Sequence, residues 1–181
     1  MKLDFTGQTV IVTGGAHGFG RAIAHAFAQG GAAVWVCDTN AEGLGETARL
    51  AQQDGLKVET RTVDVGDGAA VQAFVQEVTV ATGRLDVLVN NAGGVLGQVG
   101  RPLEEVSATD WGAIFRVNVD GAFLFAQAAA PQMKRQGRGR IINISSGAGL
   151  GVSLTGIQAY ASAKAAQIGL TRQLAPELGP F

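Results

Sequence analysis

Apolar positions along the chain fall into two patterns that take turns from the N-terminus onward. Apolar or β-branched runs at Thr9 to Thr13 and Ala32 to Cys37, and at Leu85 to Val89 (L-D-V-L-V) with Asp86 as the one polar member, predict strands buried on both faces. Lys57 to Val63 (K-V-E-T-R-T-V) alternates and predicts a more exposed strand, and Arg140 to Ser145 (R-I-I-N-I-S) a fifth. Between them the apolar residues recur at helical spacing. A helix is predicted from Gly18 onward, one over Asn40 to Asp54 closed by Gly55, and one over Asp67 to Thr82 with Val71, Phe74, Val75 and Val78 on one stripe. After a loose connection from Gly94 to Val106, Ser107 and Asp110 resemble a capping box. They open a helix predicted to run to about Gln136, kinked or tightened near Pro131. The last helix is predicted over Ile157 to Leu178. Buried strands each followed by a helix require right-handed crossovers and a parallel sheet covered on both sides. The expected fold is α/β and doubly wound, a single domain over residues 1–181.

The turn between the first strand and first helix changes this from a fold to a binding unit. Gly14, Gly15, Gly18 and Gly20 let the backbone turn sharply and leave its amides uncovered where the helix begins. A helix N-terminus with bare amides and a partial positive charge suits a pyrophosphate. The second strand follows, and Asp38 stands at its end, as a dinucleotide-binding unit requires. A carboxylate there takes both ribose hydroxyls of an adenosine and repels a 2′-phosphate, so NAD is expected in preference to NADP.

Composition removes other classes of partner. With a net charge of −1 and no basic stripe, nucleic acid is not expected to bind. Cys37 is the sole cysteine and lies in a strand, which excludes an internal disulfide and most metal sites. The stretch M-K-L-D-F-T-G-Q has no apolar leader core, and no apolar run is long enough to span a membrane. A soluble cytoplasmic protein is expected. The helix after Ser107 carries Trp111, Ile114, Phe115, Val117, Val119, Phe123, Leu124 and Phe125, too many for one core-facing stripe. The last helix offers small residues at Ala159, Ala161, Ala163, Ala165, Ala166 and Gly169. Helices 107–136 and 157–178 are therefore expected to form the interface of a homodimer or homotetramer, with an extended monomer face as the alternative.

Tyr160 and Lys164 lie one helical turn apart on the same face. An ammonium beside a phenol favours the ionised form, and an oxidised nicotinamide adds to this. Tyr160 is thus a candidate general acid and base near neutral pH.

These elements together resemble the short-chain dehydrogenase/reductase family. The resemblance rests on T-G-x-x-x-G-x-G at Thr13 to Gly20, Asp38, Asp64-Val65, N-N-A-G at Asn90 to Gly93, Asn118, I-S-S at Ile144 to Ser146, and Y-x-x-x-K at Tyr160 to Lys164. It covers essentially the whole chain, in order. It implies a Rossmann-type fold and a catalytic set of Asn118, Ser146, Tyr160 and Lys164. By that likeness Tyr160 is the acid/base, and Lys164 holds the nicotinamide ribose and lowers the tyrosine pKa. Ser146 hydrogen-bonds the substrate oxygen, and Asn118 holds a water that relays protons to Lys164. Gly14, His17, Gly18, Phe19 and Gly20 would cradle the cofactor, Asp64 and Val65 meet adenine, Asn91, Ala92 and Gly93 line the cleft, and Asn90 braces the central strand.

Two departures stand out. Ser146 lies 14 residues before Tyr160, one more than the family usually shows, with Gly147 in the serine's register. A one-residue insertion between Gly147 and Gln158 restores Ser146 to the site, because loops absorb length easily. The chain also stops at Phe181, where family members continue to a further strand, a substrate-covering loop and a last strand. The expected activity is NAD-dependent interconversion of a secondary alcohol and a ketone, with Leu150, Val152 and Leu154 suggesting a partly apolar wall for the substrate. The alternative is a non-catalytic dinucleotide-binding protein, a redox sensor or assembly partner using the same cleft.

Overall fold

The computed structural model describes residues 3–181; Met1 and Lys2, the start of the stretch read above for a leader, lie outside the described residues. Five strands, β1 (Thr9–Thr13), β2 (Ala33–Asp38), β3 (Val58–Thr62), β4 (Val87–Asn90) and β5 (Arg140–Asn143), form one sheet in the order β3-β2-β1-β4-β5. Every pairing is parallel. The order reverses between β1 and β4, so the chain leaves their C-terminal ends in opposite directions and a crevice opens there.

The apolar runs have a direct cause, because alternate side chains of each inner strand enter different cores. On one face Ile11 and Leu88 pack with Phe74, Val75 and Val78 of α3 (Gly68–Thr82) and Phe125 of α5 (Gly121–Gln136). On the other, Val10, Val12, Val34 and Val36 meet Ala24 and Ala28 of α1 (Gly18–Gln29) and Leu44 and Ala51 of α2 (Ala41–Gln53). Cys37 is fully buried in the first of these cores. Burial pushes its thiol well up, with Asp38 adding in the same direction, so it stays a neutral core side chain.

Helix starts follow the capping residues. Asn40 accepts from the Gly43 amide, Asp67 from Ala69 and Ala70, and Ser107 from Asp110, which opens α4 (Ala108–Phe115). The long helix expected from Ser107 to Gln136 departs from expectation in one respect. Its irregularity is a wide π turn at Arg116–Asp120, joining α4 to α5, and Pro131 sits inside α5. Pro131 is on the exposed side of the helix, where water can serve the carbonyl its ring leaves without a donor. The wide turn instead brings Asn118 inward, fully buried.

The final helix, α6 (Gln158–Leu178), packs on α4 and the π turn, with Ile114 against Ala159 and Ala163. Some of its small residues therefore serve contacts within the chain, while Ala165 and Gly169 remain exposed, as do Trp111 and Phe123. Strand β5 forms one edge of the sheet: no further strand pairs with it among the described residues, and Ile142 on it is 41% exposed. No helix is long and apolar enough to cross a membrane among the described residues.

Candidate active site

The turn after β1 is fixed from three directions. The Gly14 and Gly15 amides donate to the Cys37 carbonyl at 2.8 and 3.1 Å, tying the turn to β2. Thr47 of α2 donates to the Gly15 carbonyl at 2.8 Å and accepts from Arg21 Nε at 2.9 Å, and Arg21 also donates to the Ala16 carbonyl. Asp38 closes the arrangement, accepting from the Ala16 amide at 3.1 Å and the Asn40 amide at 3.0 Å. Gly20 must lack a side chain, since a Cβ would run into the Gly14 carbonyl and the Asn91 amide. Unlike α2, α3 and α4, α1 receives no side-chain cap: His17 precedes it without making one, and the space beside Gly18 is open. Its first amides are therefore the ones a bound anion can satisfy.

That turn forms one end of a cleft of about 610 Å³ at the reversal point of the sheet. Gly14, His17, Gly18, Phe19 and Asp38 line it, with Asp64 and Val65 after β3, Asn91, Ala92 and Gly93 after β4, and Ser146, Tyr160 and Lys164 at the far end. Two residues named from the sequence stand one layer behind these walls. Gly20 lies under Gly14, and Asn118 lies under Gly93, where an added Cβ would strike its Oδ1 and come within 3.2 Å of Lys164 Nζ.

The polar groups beneath the cleft are largely committed to the backbone. Thr13 Oγ1 accepts from the Asn91 and Ala92 amides at 3.0 and 2.9 Å, and Asn91 donates back to the Thr13 and Gly14 carbonyls. Asn90 donates to the Ala122 carbonyl and to Asn143 Oδ1 at 2.8 Å, bracing β4 against α5 and β5 as expected. Asn118 accepts from the Gly94 amide at 3.1 Å and donates to the Gly94 and Ile114 carbonyls, both at 2.9 Å. Its side chain thus clamps the loop that floors the cleft. At the wall that follows β3, Asp64 accepts from the Gly66 amide at 2.8 Å and pairs with Arg116 at 2.7 Å.

At the other end, Tyr160 and Lys164 project from one face of α6, with Lys164 Nζ 5.7 Å from the Tyr160 ring centre. Lys164 is only 3% exposed and makes no ion pair among the described residues; its Nζ donates to the Ile144 carbonyl at 2.7 Å and to Gln167 Oε1 at 3.2 Å. Burial lowers its pKa from the ordinary 10.5 to about 8. The two serines after β5 divide their work. Both line the cleft: Ser145 donates to the Lys164 carbonyl at 3.0 Å, anchoring α6, while Ser146 accepts, among the described residues, only a 3.2 Å bond from the Ala148 amide. Ser146 is among the residues lining the cleft and Gly147 is not.

Sequence reasoning missed the residues that hold others in place. Thr13, Arg21 and Thr47 support the glycine turn, Arg116 holds Asp64, and Gln167 touches Lys164. Gln167 alone carried a usable signal: a polar residue three positions after Lys164 must share its buried face.

The chain matches the short chain dehydrogenase family over residues 8–181. It is 41% identical over 172 residues to a (2S)-[(R)-hydroxy(phenyl)methyl]succinyl-CoA dehydrogenase subunit from Thauera aromatica, covering 95% of this chain and 67% of that protein. D-threitol dehydrogenase from Mycolicibacterium smegmatis is 40% identical, with 98% of this chain and 66% of the relative covered. The crystal structure of NAD+-bound xylitol dehydrogenase superposes with a TM-score of 0.90 at 33% identity, covering 97% of this chain and 66% of that one. This chain therefore spans about two thirds of the length of the relatives it matches. With a sheet that reverses at the cleft and a match that runs through every element bordering it, the chain belongs to the short-chain dehydrogenase family.

Proposed function

We propose that the protein is an NAD-dependent oxidoreductase that interconverts a secondary alcohol and a ketone. The observation that carries this reading is the sharing of one cleft by two sets of groups: an uncapped helix start with Asp38 at one end, and Ser146, Tyr160 and Lys164 at the other. The residues fit a dinucleotide, with free amides for its phosphates and bare glycine surface at Gly93. Bound there, the cofactor would accept or return the hydride at C4 of its nicotinamide. The protein's groups handle the proton and the geometry. Tyr160 takes the alcohol's hydroxyl proton as the carbonyl forms and returns it in reduction, and Ser146 fixes the reacting oxygen. Lys164 holds the nicotinamide ribose and offers a positive neighbour to a developing phenolate. Asn118 steadies the floor at Gly93 and Gly94 that lies over Lys164, and holds the relay water.

Asp38 favours NAD over NADP, since a 2′-phosphate would meet a carboxylate already oriented by the Ala16 and Asn40 amides. The exposed Trp111 and Phe123, on the α4 to α5 stretch packed beside α6, suit a homodimer or homotetramer through these helices. The same reading assigns the protein to the cytoplasm, with a small alcohol or ketone as its partner and neither nucleic acid nor membrane.

The test is incubation with NAD and a panel of polyols, sugars, hydroxy acids and steroids while NADH absorbance is followed. Turnover with one of them, and its loss by at least a thousandfold in Tyr160→Phe with NAD affinity retained, is the expected result. NAD binding with no turnover across the panel would leave a redox sensor or assembly partner instead.

A further inference from the structure

Gln167 stands one turn beyond Lys164 on α6 and is fully buried. Its Oε1 accepts from Lys164 Nζ, but its Nε2 has no hydrogen-bond partner among the described residues. A buried amide with an unused donor is destabilising, and a leucine or methionine of similar size would fill the same space without that penalty. What the amide adds is one acceptor, facing a nitrogen that among the described residues has one other, the Ile144 carbonyl. We propose that Gln167 is a positioning residue for Lys164, seating its ammonium beneath Gly93 and keeping it charged at neutral pH.

The electrostatics leave this task to Gln167. Burial is the cause of the lowered Lys164 pKa, and among the described residues no carboxylate pairs with it to oppose that shift. The titratable groups bordering the cleft are Tyr160 on the same helix, His17 from the turn after β1, Asp38 at the end of β2 and Asp64 after β3. Asp38 and Asp64 are engaged elsewhere, with backbone amides and Arg116. A hydrogen bond is stronger when its donor is charged, so Oε1 favours the ammonium over the amine. Ile144 supplies the same effect from the end of β5, so the nitrogen is held between a helix and a strand. A cofactor ribose can then be met by the proton that remains. The inference rests on Lys164 being the active-site lysine, but its test does not require catalysis.

The full chain, free of cofactor, is exposed to brief acetic anhydride pulses across a range of pH. Acetylation of Lys164 is read by peptide mass spectrometry against the exposed Lys57. In the parent protein the midpoint is expected at about 8. Gln167→Met should lower it by about one pH unit, the size expected for one lost hydrogen bond to a charged group. Gln167→Glu should raise it, because a carboxylate adds charge to the same contact. Should the methionine variant fail to fold, the glutamate variant reads the same contact in the opposite sense. Without either variant, the side-chain amide resonances of Gln167 in labelled parent protein should titrate with the Lys164 midpoint. An unmoved midpoint in a folded variant, or Gln167 resonances blind to Lys164 titration, overturns the proposal. A purely structural glutamine would lower thermal stability and leave the midpoint unchanged. If the midpoints move as expected but Tyr160→Phe leaves turnover intact, the positioning role stands and the catalytic reading falls.

Discussion

Replacing Lys164 with methionine should make the protein more pH-independent, and by an amount the structure sets. A lysine whose pKa falls from 10.5 to about 8 on folding binds its proton more weakly in the native state. At 1.36 kcal/mol per unit, burying the charged form costs about 3 kcal/mol at neutral pH. The unfolded chain holds the extra proton between about pH 8 and pH 10.5, so the lysine's penalty fades as pH rises through that window. Lys164→Met carries no such penalty at any pH. It does lose the donor to the Ile144 carbonyl and to Gln167 Oε1, and each orphaned acceptor costs about 1–3 kcal/mol regardless of pH. The two effects separate by their pH dependence. Urea unfolding of both proteins at about pH 7 and about pH 10.5 should show the stability difference, variant minus parent, shrinking by about 3 kcal/mol toward alkaline pH. Every other group is common to both proteins, so the comparison isolates Lys164. Parallel stability curves across that window would mean that Lys164 is not held charged in a buried place, and the electrostatic account of the site would fall with it.

Further outcomes follow from individual contacts. Gly93→Ala should weaken NAD binding at least tenfold by calorimetry, because its methyl enters the space between Asn118 Oδ1 and Lys164 Nζ. Asp38→Ala should narrow the gap between NAD and NADP affinities, measured by the same titration with both nucleotides. Asp86 is buried, which raises its pKa, yet bonds from Arg84 and the Thr9 amide and the charges of Arg84 and Arg138 leave it below the ordinary 3.8. Its stabilisation is therefore present above that value and lost as pH falls through the lowered one. Asp86→Asn should cost about 2 kcal/mol at neutral pH and progressively less in acid, read by urea midpoints. Phe123→Glu should shift the sedimentation of any dimer or tetramer toward monomer, since a charge on this exposed ring opposes burial between copies.

The sheet was legible because its strands are short, the inner ones buried on both faces, and they are separated by helices whose capping residues, Asn40, Asp67 and Ser107, act within four positions of sequence. Such signals are local, and a single chain displays them. The cleft's lining was legible for the same reason, with the glycine turn, Asp38 and the pair on α6 each lying at the end or start of a readable element. The wide turn at Arg116–Asp120 was not. No glycine or proline marks its interior, and it is selected by what Asn118 reaches, the Gly94 backbone from 24 residues away. Pro131 gave the louder local signal, and α5 runs on through it to Gln136.

The same distinction separates lining residues from those that hold them. Thr47 reaches the Gly15 carbonyl across 32 residues, and Thr13 reaches the Asn91 amide across 78, so neither pattern exists until the sheet has formed. These distant contacts spend the donors and acceptors around the cleft on fixing its backbone. What they leave unspent is informative. The first amides of α1, the hydroxyls of Ser146 and Tyr160 and the third proton of Lys164 are among the polar groups lining the cleft with capacity to spare. They lie at its two ends, and between them run the glycines and small apolar residues of the turns after β1 and β4. An elongated ligand with an anionic middle and a hydroxyl-bearing reactive end satisfies both ends at once, whereas a compact ligand satisfies only one. A competition test follows: inorganic pyrophosphate should displace NAD while leaving Lys164 acetylation unprotected, and NAD itself should protect Lys164. Protection by pyrophosphate alone would mean that the two ends are not the separate sites the backbone contacts describe.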